Sequence, residues 1–400
     1  MLVRVKLVTE PELKNRFEPA FSRLLAQVKG SIRRRINNPT VRMRPDLVIE
    51  TEIRGKRKIL VVEFKSIGHP RYMREAVAQV KAHASAIPNS YPMIVAPFIL
   101  DQSAGIMQSE GVGFFDLAGN CLLDFDGVFI RSQGKPNPHP TTRELRSLFQ
   151  PRASRVLRFL LTPALVRASM LKPGVGAWPK ILAQPPGDRR WTVEELAELA
   201  EVSLGWASAV KRKLLDFEYV REEDRRIVLS KPGELLDEWA RNYDPGLHHR
   251  IGLYVPIQLL SVVEGQLAKE NAKEEFARGL ENELKLSAVF SDPATGHEFP
   301  RVLTSFCGAS YVAPFVRYVS VTTYFSGPIE EIKREYNAKE VPTGANLNIL
   351  DPRDKGVYFC FRQIRGENVA NPVQLYLDLI TDKGRGEEAA QAVRDLELKY

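Results

Sequence analysis

The run Lys58-Ile-Leu-Val-Val-Glu-Phe-Lys65 constrains this chain more than any other stretch. Consecutive apolar residues of this kind suit a strand buried on both faces, in the middle of a covered sheet. Yet the strand ends in Glu63 and Lys65, and charge in such a place is costly unless it is paired or used. Alternation puts Glu63 and Lys65 on one face and Leu60, Val62 and Phe64 on the other. A second strand, Asp46–Ile53, precedes it across an Arg54-Gly55-Lys56-Arg57 turn, so the two read as a hairpin.

The flanks read as alternating helix and strand. Phe17, Phe21, Leu24, Leu25, Val28 and Ile32 form one apolar stripe, with Thr9 and Glu12 spaced as a capping box and Pro19 as a point of breakage. After the hairpin, Met73, Ala76, Val77, Val80, Ala84 and Ile87 give the inner face of another helix. Tyr91–Leu100 reads as a buried strand and Gly113–Ile130 as further strands, with a tight turn at Gly119-Asn120; Asp116 reads as a turn-stabilising residue, with a place facing the hairpin's charged residues as the alternative. This order indicates an α/β domain over residues 1–135, closed by the proline-rich linker 134–140.

The hairpin brings Asp46 toward Glu63 and Lys65. Two carboxylates and an amine at one sheet edge suit phosphodiester hydrolysis: the carboxylates hold Mg²⁺, and the lysine stabilises charge on the attacked phosphate. The same residues also read as a structural ion pair on a solvated face. Pro45-Asp46 followed by Glu63-x-Lys65 resembles the PD-(D/E)XK signature of restriction-endonuclease-like folds. That resemblance implies a catalytic set of Asp46, Glu63, Lys65, Gln79 on the following helix and Glu18 (or Glu12) on the first. Asp46 and Glu63 would be the metal ligands, with Mg²⁺ or Mn²⁺ as cofactor.

The middle segment, 141–245, reads differently. Thr192 with Glu195 is a capping box opening a short helix; Glu201-Val202-Ser203 is a turn; Leu204–Leu215 is a second helix with Leu204, Ala207, Val210 and Leu214 inward. Its outer face offers Ser203, Trp206, Ser208, Lys211, Arg212 and Lys213, and a hairpin over Tyr219–Leu229 adds Arg225 and Arg226. This is the pattern of a winged helix-turn-helix, whose second helix enters the major groove while the wing contacts phosphates. A helical protein-interaction module is the alternative. Helices at Ser154–Leu161 and Leu235–Tyr243 flank it.

The last segment, 246–400, reads as a mixed α/β interaction or dimerisation domain. It has helices over Val255–Leu286, Pro372–Ile380 and Gly386–Leu396 and strands over Phe315–Phe325, Asn346–Leu350 and Val357–Ile364. Ser154–Leu161, Thr192–Ser203, Glu234–Ala240, Pro372–Leu379 and Gly384–Ala390 look like stretches of AbiEi-type antitoxins of type IV toxin–antitoxin systems. The resemblance spans roughly 150–400 and implies promoter binding, repression of a linked operon and a nucleotidyltransferase toxin as partner.

Charge agrees with a nucleic-acid partner, here double-stranded DNA. The chain carries 57 Lys+Arg against 49 Asp+Glu. Residues 1–135 hold 21 against 13, residues 136–245 hold 18 against 15, and residues 246–400 hold 18 against 21. The front is therefore basic, with Arg33, Arg34, Arg35, Arg42 and Arg44 grouped near the hairpin. Cys121, Cys307 and Cys360 are far apart and without zinc spacing, which fits buried reduced thiols of a cytoplasmic protein. The longest apolar run, Tyr91–Leu100, is half a membrane span, and Met1–Lys6 lacks a secretory core. No nucleotide loop or nucleophile–base pair stands out, since Gly174-Val-Gly176, Gly384-Arg-Gly386, Cys307 and His297 lack the necessary neighbours.

Overall fold

The structure is a computed structural model that describes residues 8–36, 45–136, 148–163, 186–256, 289–291, 298–313, 316–382 and 384–400. It is of the mixed α/β class and divides into two compact units, residues 1–145 with 212–218, and residues 146–211 with 219–400. The helix expected over Val255–Leu286 lies outside the described residues almost entirely, as do Arg42, Arg44, His297, Gly174 and Gly176.

The first unit is a seven-stranded sheet in purely sequential order. Its strands are β1 (Gly30–Arg35), β2 (Leu47–Ile53), β3 (Lys56–Phe64), β4 (Ser90–Ala96), β5 (Gly113–Asp116), β6 (Cys121–Phe125) and β7 (Val128–Ser132). β1–β2–β3 and β5–β6–β7 are antiparallel meanders, whereas β3–β4–β5 run parallel through two helical crossovers, α2 (Pro70–Ser85) and α3 (Asp101–Ser109). β3 is covered on both faces, as its apolar run demands. Leu60, Val62 and Phe64 join the core under α1 (Glu10–Gln27), and Val61 joins the core under α2 and α3. The β2–β3 turn is tighter than expected: Ile53 pairs with Lys56 across Arg54 and Gly55, both at positive φ, which matches the right-handed twist of the strands.

α1 runs unbroken through Pro19. A proline inside a helix costs about 3 kcal/mol, and packing on both sides of it prevails. Leu13, Phe17, Phe21 and Leu25 are fully buried, with the Phe17 and Phe21 rings stacked at 5.0 Å and set edge-on to Phe115. The capping box at its start does not form: Thr9 is the N-cap, but its side chain makes no capping hydrogen bond. Ile32 belongs to β1 instead of the helix.

The second unit begins with α4 (Pro151–Leu161), α5 (Val193–Leu199) and α6 (Leu204–Asp216, whose last turn groups with the first unit). A hairpin of β8 (Val220–Glu223) and β9 (Arg226–Leu229) follows, then α7 (Pro232–Asn242). β10 (His248–Tyr254) enters a second seven-stranded sheet that also holds β13 (Val302–Leu303), β14 (Val321–Tyr324), β15 (Lys339–Glu340), β16 (Leu347–Pro352), β17 (Arg362–Ile364) and β18 (Glu367–Val369). β11 (Val289–Ser291) and β12 (Glu298–Pro300) form a separate pair. The spatial order is β15-β10-β16-β14-β13-β18-β17. One face packs Leu253, Val321, Leu347 and Ile349 with helices α8 (Ser305–Ser310) and α9 (Ile329–Glu335). Helices α10 (Pro372–Ile380) and α11 (Gly386–Val393) close the chain. The strand expected over Val357–Ile364 is replaced at its start by a short turn, because the Asp354 carboxylate caps the Gly356 N–H at 2.8 Å. All three cysteines are buried and free, and no helix among the described residues is long and apolar enough to cross a membrane.

A polar hub ties this unit together. The Asp378 carboxylate of α10 accepts hydrogen bonds from the hydroxyls of Tyr243 (2.7 Å), Tyr324 (2.8 Å) and Thr304, and from the Gln374 amide (2.8 Å). Arg158 of α4 donates to Gln374 Oε1 and lies over the Trp239 ring at 5.0 Å. Burial, reinforced by the Asp378 charge, pushes both tyrosine hydroxyls well above their ordinary range, so they remain donors at any physiological pH. Two truncations weigh these contacts by equilibrium unfolding. Phe17→Ala is expected to cost about 3–5 kcal/mol. Asp378→Ala strands several donors at about 1–3 kcal/mol each, so a loss near 3 kcal/mol is expected; a loss under 1 kcal/mol would deny the hub its role.

Candidate functional sites

The carboxylate cluster forms where β2 and β3 meet α2. Leu47 pairs with Val62, so Asp46 stands beside Glu63 at the end of the ladder. Asp46 is anchored by the Phe64 N–H (3.0 Å) and by Lys14 of α1 (2.7 Å). Glu63 is 3% exposed and Lys65 donates to it at 3.1 Å while also donating to Gln79 Oε1 at 3.0 Å. The structure thus brings Asp46, Glu63, Lys65 and Gln79 together. Glu18 goes elsewhere: its carboxylate receives Arg35 Nε at 2.6 Å, and it makes no hydrogen bond to the cluster. The arginines of β1 are likewise engaged, Arg33 with Glu52 and Arg34 with Glu50, each at 2.7 Å.

Two members escaped the sequence reading. Lys14 gave no signal beyond being basic. His83 did: it lies four residues after Gln79, on the same face of α2, and its Nδ1 stands 3.6 Å from Glu63 Oε2. Both of these atoms are buried without a hydrogen-bond partner. Burial first, and then the Asp46 charge, raise the Glu63 carboxyl above the ordinary carboxylate range, while Lys65 opposes the rise. Adjacent carboxylates with an unpartnered oxygen fit a divalent cation held by one or two protein carboxylates, the usual manner of Mg²⁺. Among the described residues no group of three or more His, Cys, Asp or Glu is placed to hold a metal.

Asp116 plays no part in this cluster. It is fully buried and accepts the N–H groups of Ile99 (3.1 Å) and Asn120 (2.8 Å), which fixes the β5–β6 turn.

The second candidate lies at α5, α6 and the β8–β9 hairpin. The capping box forms fully: Thr192 Oγ1 accepts the Glu195 N–H at 3.1 Å, and Glu195 Oε2 accepts the Thr192 N–H at 2.7 Å. A sharp turn with Glu201 at positive φ leads to α6, whose Ala207, Val210 and Leu214 are buried as expected. Leu204 is not inward; it is 51% exposed on the first turn, near Trp206 at 41%. Its place on the first turn of the helix sets it outside the buried stripe of Ala207, Val210 and Leu214. Ser203 caps the turn by accepting the Trp206 N–H at 3.3 Å, and Ser208 is half-buried. Lys211 is not free, because Glu222 of the hairpin holds it at 2.9 Å. Arg212 is exposed and Lys213 half-buried on the part of α6 that groups with the first unit.

The hairpin is anchored by Trp191, which pairs with Ile227 through both backbone groups. Two of its acidic residues, which weigh against nucleic-acid contact, are neutralised internally, Glu222 by Lys211 and Glu223 by Arg221 (2.6 Å) and Arg190 (3.1 Å), whereas Asp224 at the tip is 95% exposed and only 4.0 Å from Arg190. Arg225 stays exposed at the tip, and Arg226 donates to the Arg190 carbonyl at 3.1 Å. Residues 226–399 match the family model described as transcriptional regulator, AbiEi antitoxin, type IV TA system. The match starts at β9 and covers the Asp378 hub except for its α4 arm. No curated protein and no solved structure matches the chain.

The raised Glu63 carboxyl gives a pH test. Between the unfolded value of about 4.3 and the higher folded value, the native state binds more protons than the unfolded one. Stability therefore falls as pH rises through that window, and the cost persists at neutral pH. Glu63→Gln is expected to raise the melting midpoint at pH 7 and to flatten this slope; a lower midpoint at pH 7 would contradict the assignment.

Proposed function

We propose that the chain is a DNA-binding transcriptional regulator of the AbiEi antitoxin kind. The observation that carries this reading is the match of residues 226–399 to that family model. The order of α5, turn, α6 and a two-stranded hairpin supports a winged helix ahead of it. In this reading the start of α6, with Ser203, Trp206 and Ser208, faces the major groove, and Arg225 and Arg226 meet phosphates. Lys211 acts by holding Glu222 away from the backbone of the DNA. The regulated operon would encode a toxin, which is the chain's protein partner.

The test is binding to DNA from the chain's own upstream region, followed by fluorescence anisotropy across a salt series. Arg225→Ala is expected to weaken binding to all sequences alike and to lower the salt slope by about 1. Trp206→Ala is expected to cost about 1–3 kcal/mol on the preferred sequence and little on random DNA. Equal losses on both sequences for Trp206→Ala would remove α6 from the reading role.

A second reading rests on one specific observation, the Lys65 bridge between Glu63 and Gln79 beside Asp46. It makes the first unit a phosphodiesterase of the PD-(D/E)XK kind. Mg²⁺ held by Asp46 and Glu63 would polarise the phosphoryl group and acidify a bound water. Asp46 is held in place by Lys14 and the Phe64 N–H, and Lys65 is aimed by Gln79 toward the charge that develops on phosphate. Cleavage of DNA that needs Mg²⁺ and disappears in Lys65→Ala, with promoter binding intact, is the expected result. No cleavage under Mg²⁺ or Mn²⁺ would defeat this reading and leave the first one standing.

A further inference from the structure

The second sheet leaves one of its faces built from small and polar residues. Gly252 of β10, Asn348 of β16 and Thr322 of β14 are register neighbours in one row across three strands. The residues that alternate with them, Leu253, Leu347, Ile349 and Val321, all face the apolar core on the other side. A row with so little side-chain volume leaves a depression. Two adjoining hollows of about 650 and 480 Å³ lie there and share Arg250 and Ser320. Each falls within the range of small-molecule sites, about 300–1,000 Å³.

The smaller hollow has the richer chemistry. Three guanidiniums, Arg250, Arg317 and Arg385, line it together with the hydroxyls of Ser305, Ser320 and Thr322. Among its described lining residues Asp382 is the one carboxylate. Several arginines elsewhere in this unit are matched with acids, among them Arg155 with Asp354, Arg362 with Glu397 and Arg394 with Asp237. For two of the three guanidiniums of the hollow, Arg250 and Arg385, no such match is made among the described residues. Arg250 donates to the neutral Asn348 amide oxygen at 3.1 Å and meets no carboxylate among the described residues, and the Arg385 side chain makes no hydrogen bond or ion pair among them. Glu340, in the neighbouring hollow, is already held by Lys333 at 3.1 Å. Ser305 adopts a φ of 54°, a strained conformation for a residue with a side chain, and such strain gathers at ligand sites. The half-buried Phe306, which also packs against the apolar core, contributes an apolar part of the lining.

We propose that this cleft binds a nucleotide. Guanidiniums in a group, with hydroxyls between them, are the standard receptor for phosphate oxygens. Asp382 repels a bare oxyanion and suits a ligand that also brings hydroxyl or amino donors, as a ribose or a base does. Phe306 offers a surface for the base. The cleft lies entirely in the second unit, away from α5, α6 and the hairpin in sequence, so it stands whether or not those elements bind DNA.

Isothermal titration calorimetry on the full chain tests this with three probes: ATP, inorganic phosphate and a single-stranded 12-mer. The expected result is saturable binding of ATP, with inorganic phosphate weaker by about ten-fold or more, and loss of about ten-fold or more in ATP affinity in the Arg250→Gln, Arg385→Gln double variant, each ten-fold step being 1.4 kcal/mol. Arg353→Gln, an exposed arginine that does not line the cleft, is expected to bind ATP as the unaltered chain does. Melting curves check that the double variant is folded; Thr322→Val, which removes one hydroxyl from the cleft, is the second variant should it melt early, with a loss of a few-fold expected. No ATP binding overturns the proposal. So does ATP binding that survives both variants, or binding of the 12-mer alone.

Discussion

The acceptor capacity of one carboxylate organises the second unit. Asp378 gathers three hydroxyls and an amide from α10, β14, the residue after α7 and the cap of α8. Gln374, one helical turn earlier, passes the network on to Arg158 of α4. Each of these groups would be costly to bury alone, and all but the Arg158 Nε find partners in the network, which fixes a single arrangement of helices on the sheet. The helices α5 and α7 are attached to that frame: α4 packs on α5, and Trp239 of α7 lies under Arg158. A reading surface for DNA needs such rigid support, because it must hold several side chains in register with base edges.

The first unit follows a different logic. β3 is buried on both faces, so its end is a place where charge is not solvated cheaply. Glu63 nevertheless stands there with an unpartnered oxygen and a carboxyl raised by burial and by Asp46. Arg362, ion-paired with Glu397, likewise leaves two buried nitrogens unpartnered, and shifted carboxyls occur both at ligand sites and in structural ion-pair networks.

Much of this was legible in the chain because short-range chemistry decides it. The Thr192–Glu195 capping box, the β2–β3 hairpin and the inner face of α2 formed as their residue patterns indicated. Where the pattern misled, longer-range packing prevailed. Pro19 sits within an unbroken helix because aromatic rings on both sides hold it, and no local signal reports those rings' partners. Leu204 is exposed because its place at the helix start removes it from the apolar stripe it matches in spacing. Glu18 was drawn off by Arg35, and Lys211 by Glu222, pairings made by residues 17 and 11 positions away that a motif cannot show. His83 was within reach of the helical spacing from Gln79. The nucleotide cleft was not, because its members come from loops and strands spread between Arg250 and Arg385 and converge only when the sheet forms.

The central claim, that this chain reads DNA as a regulator, is tested most directly by hydroxyl-radical footprinting on the region upstream of its own coding sequence, at physiological salt. The account predicts protection of a discrete segment, repeated at about one helical turn if two copies bind, with an excess of random competitor leaving the pattern in place. Protection that is uniform along the fragment, or abolished by the competitor, would contradict it.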